Sequence, residues 1–214
     1  MNKRQEKLLK SIIDEYVKTA QPVGSNLLVA KYLKNVSSAT VRNEMAELEK
    51  QGLITHPHTS AGRIPTEKGY KYYLDNFLKD SALKEVGQLK QTKEPKQVAK
   101  ELAEISGLAV IISFTKEDVY YTGISNVFSQ PEFHEYNLAY NFTSVIDHLD
   151  EVVSQIYDTI TETVEVRIGE ENPFGADCGL IITKNNNKLI ALIGPIRMDY
   201  QKNINLIKYA KTLI

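Results

Sequence analysis

Between Asn2 and Gln51 apolar residues recur at three- and four-residue intervals, yet Pro22 with Gly24, and then a turn at Asn35 and Val36, cut the pattern into three short pieces. In the first piece, Leu8, Leu9, Ile12, Ile13, Tyr16 and Val17 share one helical face. Ser25 is placed to cap a second helix running through Leu27, Leu28 and Leu33, because its hydroxyl can satisfy an orphan backbone amide. Ser37 is placed to cap a third, SATVRNEMAELEKQ, whose Val41, Met45 and Leu48 fall at i, i+4 and i+7. Gly52 then stops the helix by accepting a left-handed conformation.

After Gly52 the periodicity changes. Leu53-Ile54-Thr55 and Arg63-Ile64 are short β-prone pieces on either side of a Pro-, Ser- and Gly-rich loop, which predicts a hairpin. Thr66 can cap a fourth helix, EKGYKYYLDNFL. The next stretch, KDSALKEVGQLKQTKEPK at 79–96, is polar, lysine-rich and interrupted by Pro95. It reads as a linker of partial helicity between a domain at 1–78 and another at 97–214.

The second domain opens with an amphipathic piece, KQVAKELAEIS, followed by the apolar run 108–114, which suits a buried strand. Further strands are expected at 164–168, 179–183 and 188–193, the last two joined by a turn at Asn185-Asn186-Asn187. Helices from about Ser144 to Thr159 and from about Asp199 to Leu213 complete an α+β domain with a mainly antiparallel sheet.

Charge separates the halves. Residues 1–107 hold 18 Lys+Arg against 13 Asp+Glu, whereas residues 108–214 hold 8 against 14, so a net −1 conceals +5 and −6. A basic first half admits a nucleic-acid partner. No apolar run is long enough to cross a bilayer, and acids interrupt the amino terminus where a signal peptide has its apolar core, so a cytoplasmic protein is expected. The single cysteine, Cys178, reads as a buried structural thiol.

Three short helices followed by a hairpin are the elements of a winged helix-turn-helix, whose third helix enters the major groove. With Val41, Met45 and Leu48 on the buried face, Ser38, Thr40, Arg42, Asn43 and Glu44 are left around its exposed end. Arg can pair with guanine, Asn with adenine, and Ser or Thr with phosphate. Arg42 and Asn43 are therefore the candidates for base edges. Ser38, Thr40, His58, Thr59, Ser60 and Arg63 are the candidates for phosphate or groove contacts. The alternative is a merely solvated helix face; the following hairpin, with its donors, favours DNA.

His56 and His58 alternate along an extended stretch and could reach one ion, but Pro57 disturbs that geometry and no cysteine is near. No metal or other cofactor is expected. Nucleophilic catalysis by Ser60 lacks a GxSxG motif and a placed acid, so an enzyme is not expected either. Glu170 and Glu171 sit in a Gly/Pro-flanked loop and read as a solvated turn, and Asp199 reads as a helix cap.

The stretches YVKTAQPVGS at 16–25 and SSATVRNEMAELEKQGLITHPHTSAGRIPTEKGYKYY at 37–73 closely resemble the HrcA family of bacterial heat-inducible transcription repressors. VYYTGISNVFSQPEF at 119–133, VRIGEENP at 166–173 and IGPIRMDY at 193–200 are similar to that family's carboxy-terminal signatures. The resemblance implies a homodimer that binds an inverted-repeat operator upstream of chaperone operons, represses them, and releases them on heat shock. It also implies a GroEL-type chaperonin that keeps the repressor active, and a GAF-like fold for the second domain.

One departure stands out. Family members usually carry a long segment, including a dimerisation region, between the strand matching LAVIISF and the YYTGISN motif. Here only Thr115-Lys116-Glu117-Asp118 separates Phe114 from Val119, which predicts a reduced GAF-like domain. Two other readings stay open: control by a small-molecule ligand of the second domain, and an interaction module that has lost operator binding.

Overall fold

The computed structural model describes residues 1–57, 62–78 and 94–214, which fall into two compact units, Met1–Lys79 and Asp80–Ile214. The protein is α+β. In the first unit, α1 (Lys3–Thr19), α2 (Ser25–Lys31) and α3 (Ser38–Lys50) precede a two-stranded antiparallel hairpin, β1 (Ile54–Thr55) and β2 (Ile64–Pro65), and then α4 (Glu67–Phe77). Local chemistry accounts for the boundaries. Asn2 and Gln5 form a reciprocal capping box at the start of α1. Ser37 Oγ caps α3, Gly52 follows it with φ of +73°, and Thr66 Oγ1 caps α4. Leu8, Leu9, Ile12, Leu28, Val41 and Leu48 are almost wholly excluded from solvent and form the core that α1, α2 and α3 share.

The cap of α2 is a correction. Gly24, not Ser25, occupies that position, and no side chain caps the helix. Ser25 is instead a buried first helical residue, with a hydroxyl turned to tertiary use.

A buried carboxylate ties α1 to α2. Glu15 accepts from Lys31 Nζ at 2.6 Å and from the Tyr32 hydroxyl at 2.7 Å. The hydrogen bonds from Lys31 and Tyr32 hold its pKa below the ordinary carboxylate value of 4.5, and the same contact pushes the Tyr32 phenol up to about 12. A carboxylate with a depressed native pKa stabilises the fold fully above its unfolded pKa, and that contribution drains as pH falls through the native one. Glu15→Gln is thus expected to cost about 1.5 to 3 kcal/mol near neutrality, the range for hydrogen bonds to a charged group. The deficit should shrink below pH 4.5; a deficit that stays constant across an acid titration of melting would refute the assignment.

The second unit is built on a five-stranded antiparallel sheet, ordered β4-β3-β7-β6-β5, from β3 (Ala109–Ser113), β4 (Val119–Thr122), β5 (Glu165–Ile168), β6 (Cys178–Asn185) and β7 (Lys188–Pro195). One face, carrying Ala109, Ile111, Leu180, Ile182, Ala191 and Ile193, packs with α6 (Ile124–Phe128), α7 (Tyr136–Asp147) and α8 (Leu149–Ile156). The alternate residues Val110, Ile112, Ile181, Ile190 and Leu192 are buried too, beneath α5 (Pro95–Ser106) and α9 (Tyr200–Ala210). Helices on both faces explain why the central strands read as continuous apolar runs instead of alternating.

Several sequence expectations shift here. Pro95 does not interrupt a linker; it is the first residue of α5, capped by Glu94, as suits a residue without an amide donor. The rest of the linker, 79–93, lies outside the described residues. The expected helix 144–159 is two helices divided at His148, whose ψ of 27° departs from the helical value. The apolar spacing of Phe142, Leu149, Val153 and Ile156 serves one core from both sides of the break, so periodicity alone does not register it. The turn at Asn186 and Asn187 is as read, with φ of 46° and 62°, the two left-handed residues of a tight hairpin.

Where the family resemblance places a missing segment, β3 runs directly into β4. Phe114 N donates to Asp118 O at 2.8 Å, and Thr115 Oγ1 accepts from Asp118 N at 3.1 Å. The four residues form a closed turn with its own hydrogen bonds.

Candidate nucleic-acid interface

The α3 helix carries the first set of candidates. At its start, Ser37 Oγ accepts from Thr40 N at 3.1 Å and lies 2.9 Å from Thr40 Oγ1, so Thr40 belongs to the cap. Ser38 is half-buried; its hydroxyl donates to Asn26 Oδ1 at 2.7 Å and stands 3.0 Å from Ser25 Oγ. Arg42 is exposed but anchored, its Nε donating to Ser25 Oγ at 3.2 Å. Asn43 is exposed and makes no side-chain hydrogen bond among the described residues.

Glu44 is not part of this face. It is only 7% exposed and pairs with Arg4 of α1. Its Oε2 has no hydrogen-bond partner among the described residues, a cost that the charged contact to Arg4 offsets. Arg42 and Asn43 therefore project from α3 without Glu44 beside them on the exposed face.

The hairpin is locked to α3 and to the chain before α2. Arg63 and Val23 exchange backbone hydrogen bonds at 2.9 and 2.8 Å. The Arg63 side chain donates from Nε to Glu49 Oε2 at 3.0 Å and places Nη2 2.9 Å from the same oxygen. The other oxygen of Glu49 is hydrogen-bonded to His56 Nδ1. One carboxylate on α3 thus holds both sides of the hairpin. Burial alone would raise the Glu49 pKa, but the His56 hydrogen bond and the Arg63 charge outweigh it and hold the group below its ordinary value.

This contact supplies a non-metal role for His56, and among the described residues no cluster of three His, Cys, Asp or Glu could hold a metal. His58, Thr59 and Ser60 lie outside the described residues. Gly62 is required by packing: a Cβ there would stand 2.6 Å from Val23 C and O and 2.8 Å from Pro22 C. The missing side chain lets the hairpin approach the Pro22-Val23 backbone.

Arg42 and Arg63 both line a cavity of about 420 Å³ together with Ser25 and Asn26. Nothing in the sequence places Ser25 or Asn26 in the interface. Their only local signal is a hydroxyl and an amide at a helix start, which capping explains equally well; the contact across 13 residues to Ser38 is what brings them in.

In the second unit the motif residues are structural. Arg197 pairs with Glu132 and donates from Nη2 to Gln130 Oε1 at 2.7 Å, joining the stretch 119–133 to 193–200. Asp199 Oδ1 caps α9 by accepting from Lys202 N at 3.0 Å. Glu170 and Glu171 are exposed within a short 3-10 turn, Gly169–Glu171. Cys178 is buried, and burial pushes its thiol up to about 12. Thiol reagents attack the thiolate, so Cys178 is expected to stay unlabelled in the native protein at pH 8 and to react fully in denaturant. Rapid native labelling, followed by mass spectrometry, would contradict this burial.

The model describing the HrcA protein C terminal domain matches residues 36–204. The chain belongs to the HrcA family. A heat-inducible transcription repressor HrcA from Acetivibrio thermocellus is 53% identical over 83 residues, covering 39% of this chain and 24% of that protein. Another, from Thermoanaerobacter sp. (strain X514), is 25% identical along an alignment of 321 positions that covers 96% of this chain and 93% of that repressor. An alignment of that length over 214 residues leaves more than a hundred positions of the longer HrcA protein without a counterpart here. A crystal structure of a protein described as hypothetical shares the fold, with a TM-score of 0.78 at 18% identity over 100% of this chain and 96% of that one.

Proposed function

We propose that this HrcA-family chain is a transcription repressor of chaperone operons that binds an inverted-repeat operator and releases it on heat shock. Residues 1–78 act as a winged helix-turn-helix: α3 enters the major groove and the hairpin is the wing. Residues 97–214 act as a reduced GAF-like domain that joins subunits and receives the regulatory signal; the net charge of −6 over 108–214 suits a protein partner better than DNA. The observation that carries the reading is the presentation of Arg42 and Asn43 on α3 beside a hairpin that Glu49 locks to the same helix. Asn43 reads a base edge, while Ser38, Thr40, His58, Thr59, Ser60 and Arg63 serve phosphates and grooves.

An inverted repeat presents two half-sites, so the active species is a homodimer. With only Thr115-Lys116-Glu117-Asp118 between Phe114 and Val119, the subunit contact lies outside the segment that longer HrcA proteins carry there. A GroEL-type chaperonin maintains the operator-binding form. The test is a footprint upstream of the host's chaperone genes with and without chaperonin. Two protected half-sites that strengthen with chaperonin are expected; uniform protection of any duplex would reject the repressor reading. A metabolite that both raises thermal stability and releases the operator, with chaperonin inert, would move control to a small ligand.

A further inference from the structure

Among the described side chains that line the cavity beside α3, the donors are open and the acceptors are already engaged. Ser25 Oγ already accepts from Arg42 Nε, and Asn26 Oδ1 already accepts from the Ser38 hydroxyl. Both terminal nitrogens of Arg42 and the side-chain amide nitrogen of Asn26 make no hydrogen bond among the described residues. Arg63 commits Nε and Nη2 to Glu49, and its Nη1 makes no hydrogen bond among the described residues. A guanine edge also presents acceptors only, but a phosphodiester adds a full negative charge, which suits two guanidinium groups and an amide facing one cavity. The cavity of about 420 Å³ is large enough to admit a phosphate group.

We propose that Arg42, Arg63 and Asn26 form a clamp for one backbone phosphate of the DNA, and that Arg42 positions the protein on the duplex instead of reading a base. The hydrogen bond from Arg42 Nε to Ser25, itself 3.0 Å from Ser38, draws the guanidinium toward the start of α2. Glu49 removes part of the charge of Arg63 and fixes its position, so the clamp is preorganised. Asn43, one residue on and free of such anchoring, is left for the base edge. The proposal rests on the DNA-binding reading above and moves Arg42 from the base edge, where the sequence places it, to the phosphate.

The experiment measures binding of the full chain to a duplex bearing the inverted repeat from its host's chaperone promoter and to a scrambled duplex of equal length, over a range of salt. Arg42→Ala, Arg42→Lys and Asn26→Ala are compared with wild type after melting curves establish equal folding. A phosphate clamp predicts that Arg42→Ala weakens both duplexes by a similar factor, about tenfold. It also predicts that the slope of log K against log salt falls by about 0.9 in magnitude. Arg42→Lys should restore most of the loss, since a point charge serves a phosphate but not a bidentate base contact. Asn26→Ala should weaken both duplexes as well. Loss confined to the inverted repeat with an unchanged salt slope would overturn the proposal in favour of base reading, and no loss on either duplex would overturn it outright. Wild type that fails to prefer the inverted repeat would sink the repressor reading instead, while the salt slopes on either duplex would still decide the clamp.

Discussion

Gly69→Ala is expected to destabilise the first unit by about 2 kcal/mol, although alanine is the better helix former. In an open helix interior the exchange gains about 1 kcal/mol, because glycine loses more backbone entropy. Gly69 lies in α4, where a Cβ would stand 2.1 Å from Leu53 O and 3.1 Å from Leu53 C. Those are backbone atoms and cannot rotate away. Leu53 O also accepts from Thr66 N at 3.1 Å, just before α4 begins, so moving the carbonyl loosens the contact between hairpin and helix. Overpacking of this kind costs about 1 to 3 kcal/mol and sometimes more, enough to reverse the propensity gain. Hydrogen exchange at amides of α3, α4 and the hairpin reads the effect locally. Slower exchange in the variant, meaning greater stability, would show that α4 does not dock on Leu53.

The second large effect concerns recognition. Asn43→Ala is expected to cost about 1 to 3 kcal/mol of binding to the inverted repeat, the range for a bidentate contact to adenine, and to leave a scrambled duplex unaffected. The side chain is exposed and has no hydrogen-bond partner among the described residues, so its removal should not disturb folding. Anisotropy at fixed salt checks both halves of the statement. Equal losses on the two duplexes would make Asn43 a backbone contact. Paired with the Arg42 series, the result separates a residue that reads sequence from one that holds register.

Much of this architecture is local and so was legible from residues in order. The stripe Val41, Met45, Leu48, the caps at Ser37, Thr66 and Asp199, and the Asn186-Asn187 turn each act within a few positions of themselves. Chemistry across such short spans is the same in any fold. The strand Val119–Thr122 was not legible in this way. It is short and partly exposed, and it is a strand because β3 lies beside it, with Ile111 opposite Tyr121.

The candidate interface divides along the same line. Periodicity places Arg42 and Asn43 away from the apolar stripe, and they are exposed. The same periodicity places Glu44 with them, yet Arg4, 40 residues earlier, makes burial of that carboxylate tolerable. Likewise the sequence offers His56 and Arg63 as separate decorations of a loop, and only Glu49 of α3 makes them a single clamp.

By itself, then, the sequence determined the charge that separates the two halves, and it determined the apolar stripe of α3, the caps at Ser37, Thr66 and Asp199 and the Asn186-Asn187 turn because these depend on neighbours a few positions away. The tertiary structure alone decided that Ser25 serves Arg42 instead of a helix end, that Gly62 clears a path for Pro22 and Val23, and that Arg42 and Arg63 share one cavity with Asn26. Those outcomes depend on side chains brought together across 13 to 40 residues, where packing, not spacing, chooses the partner.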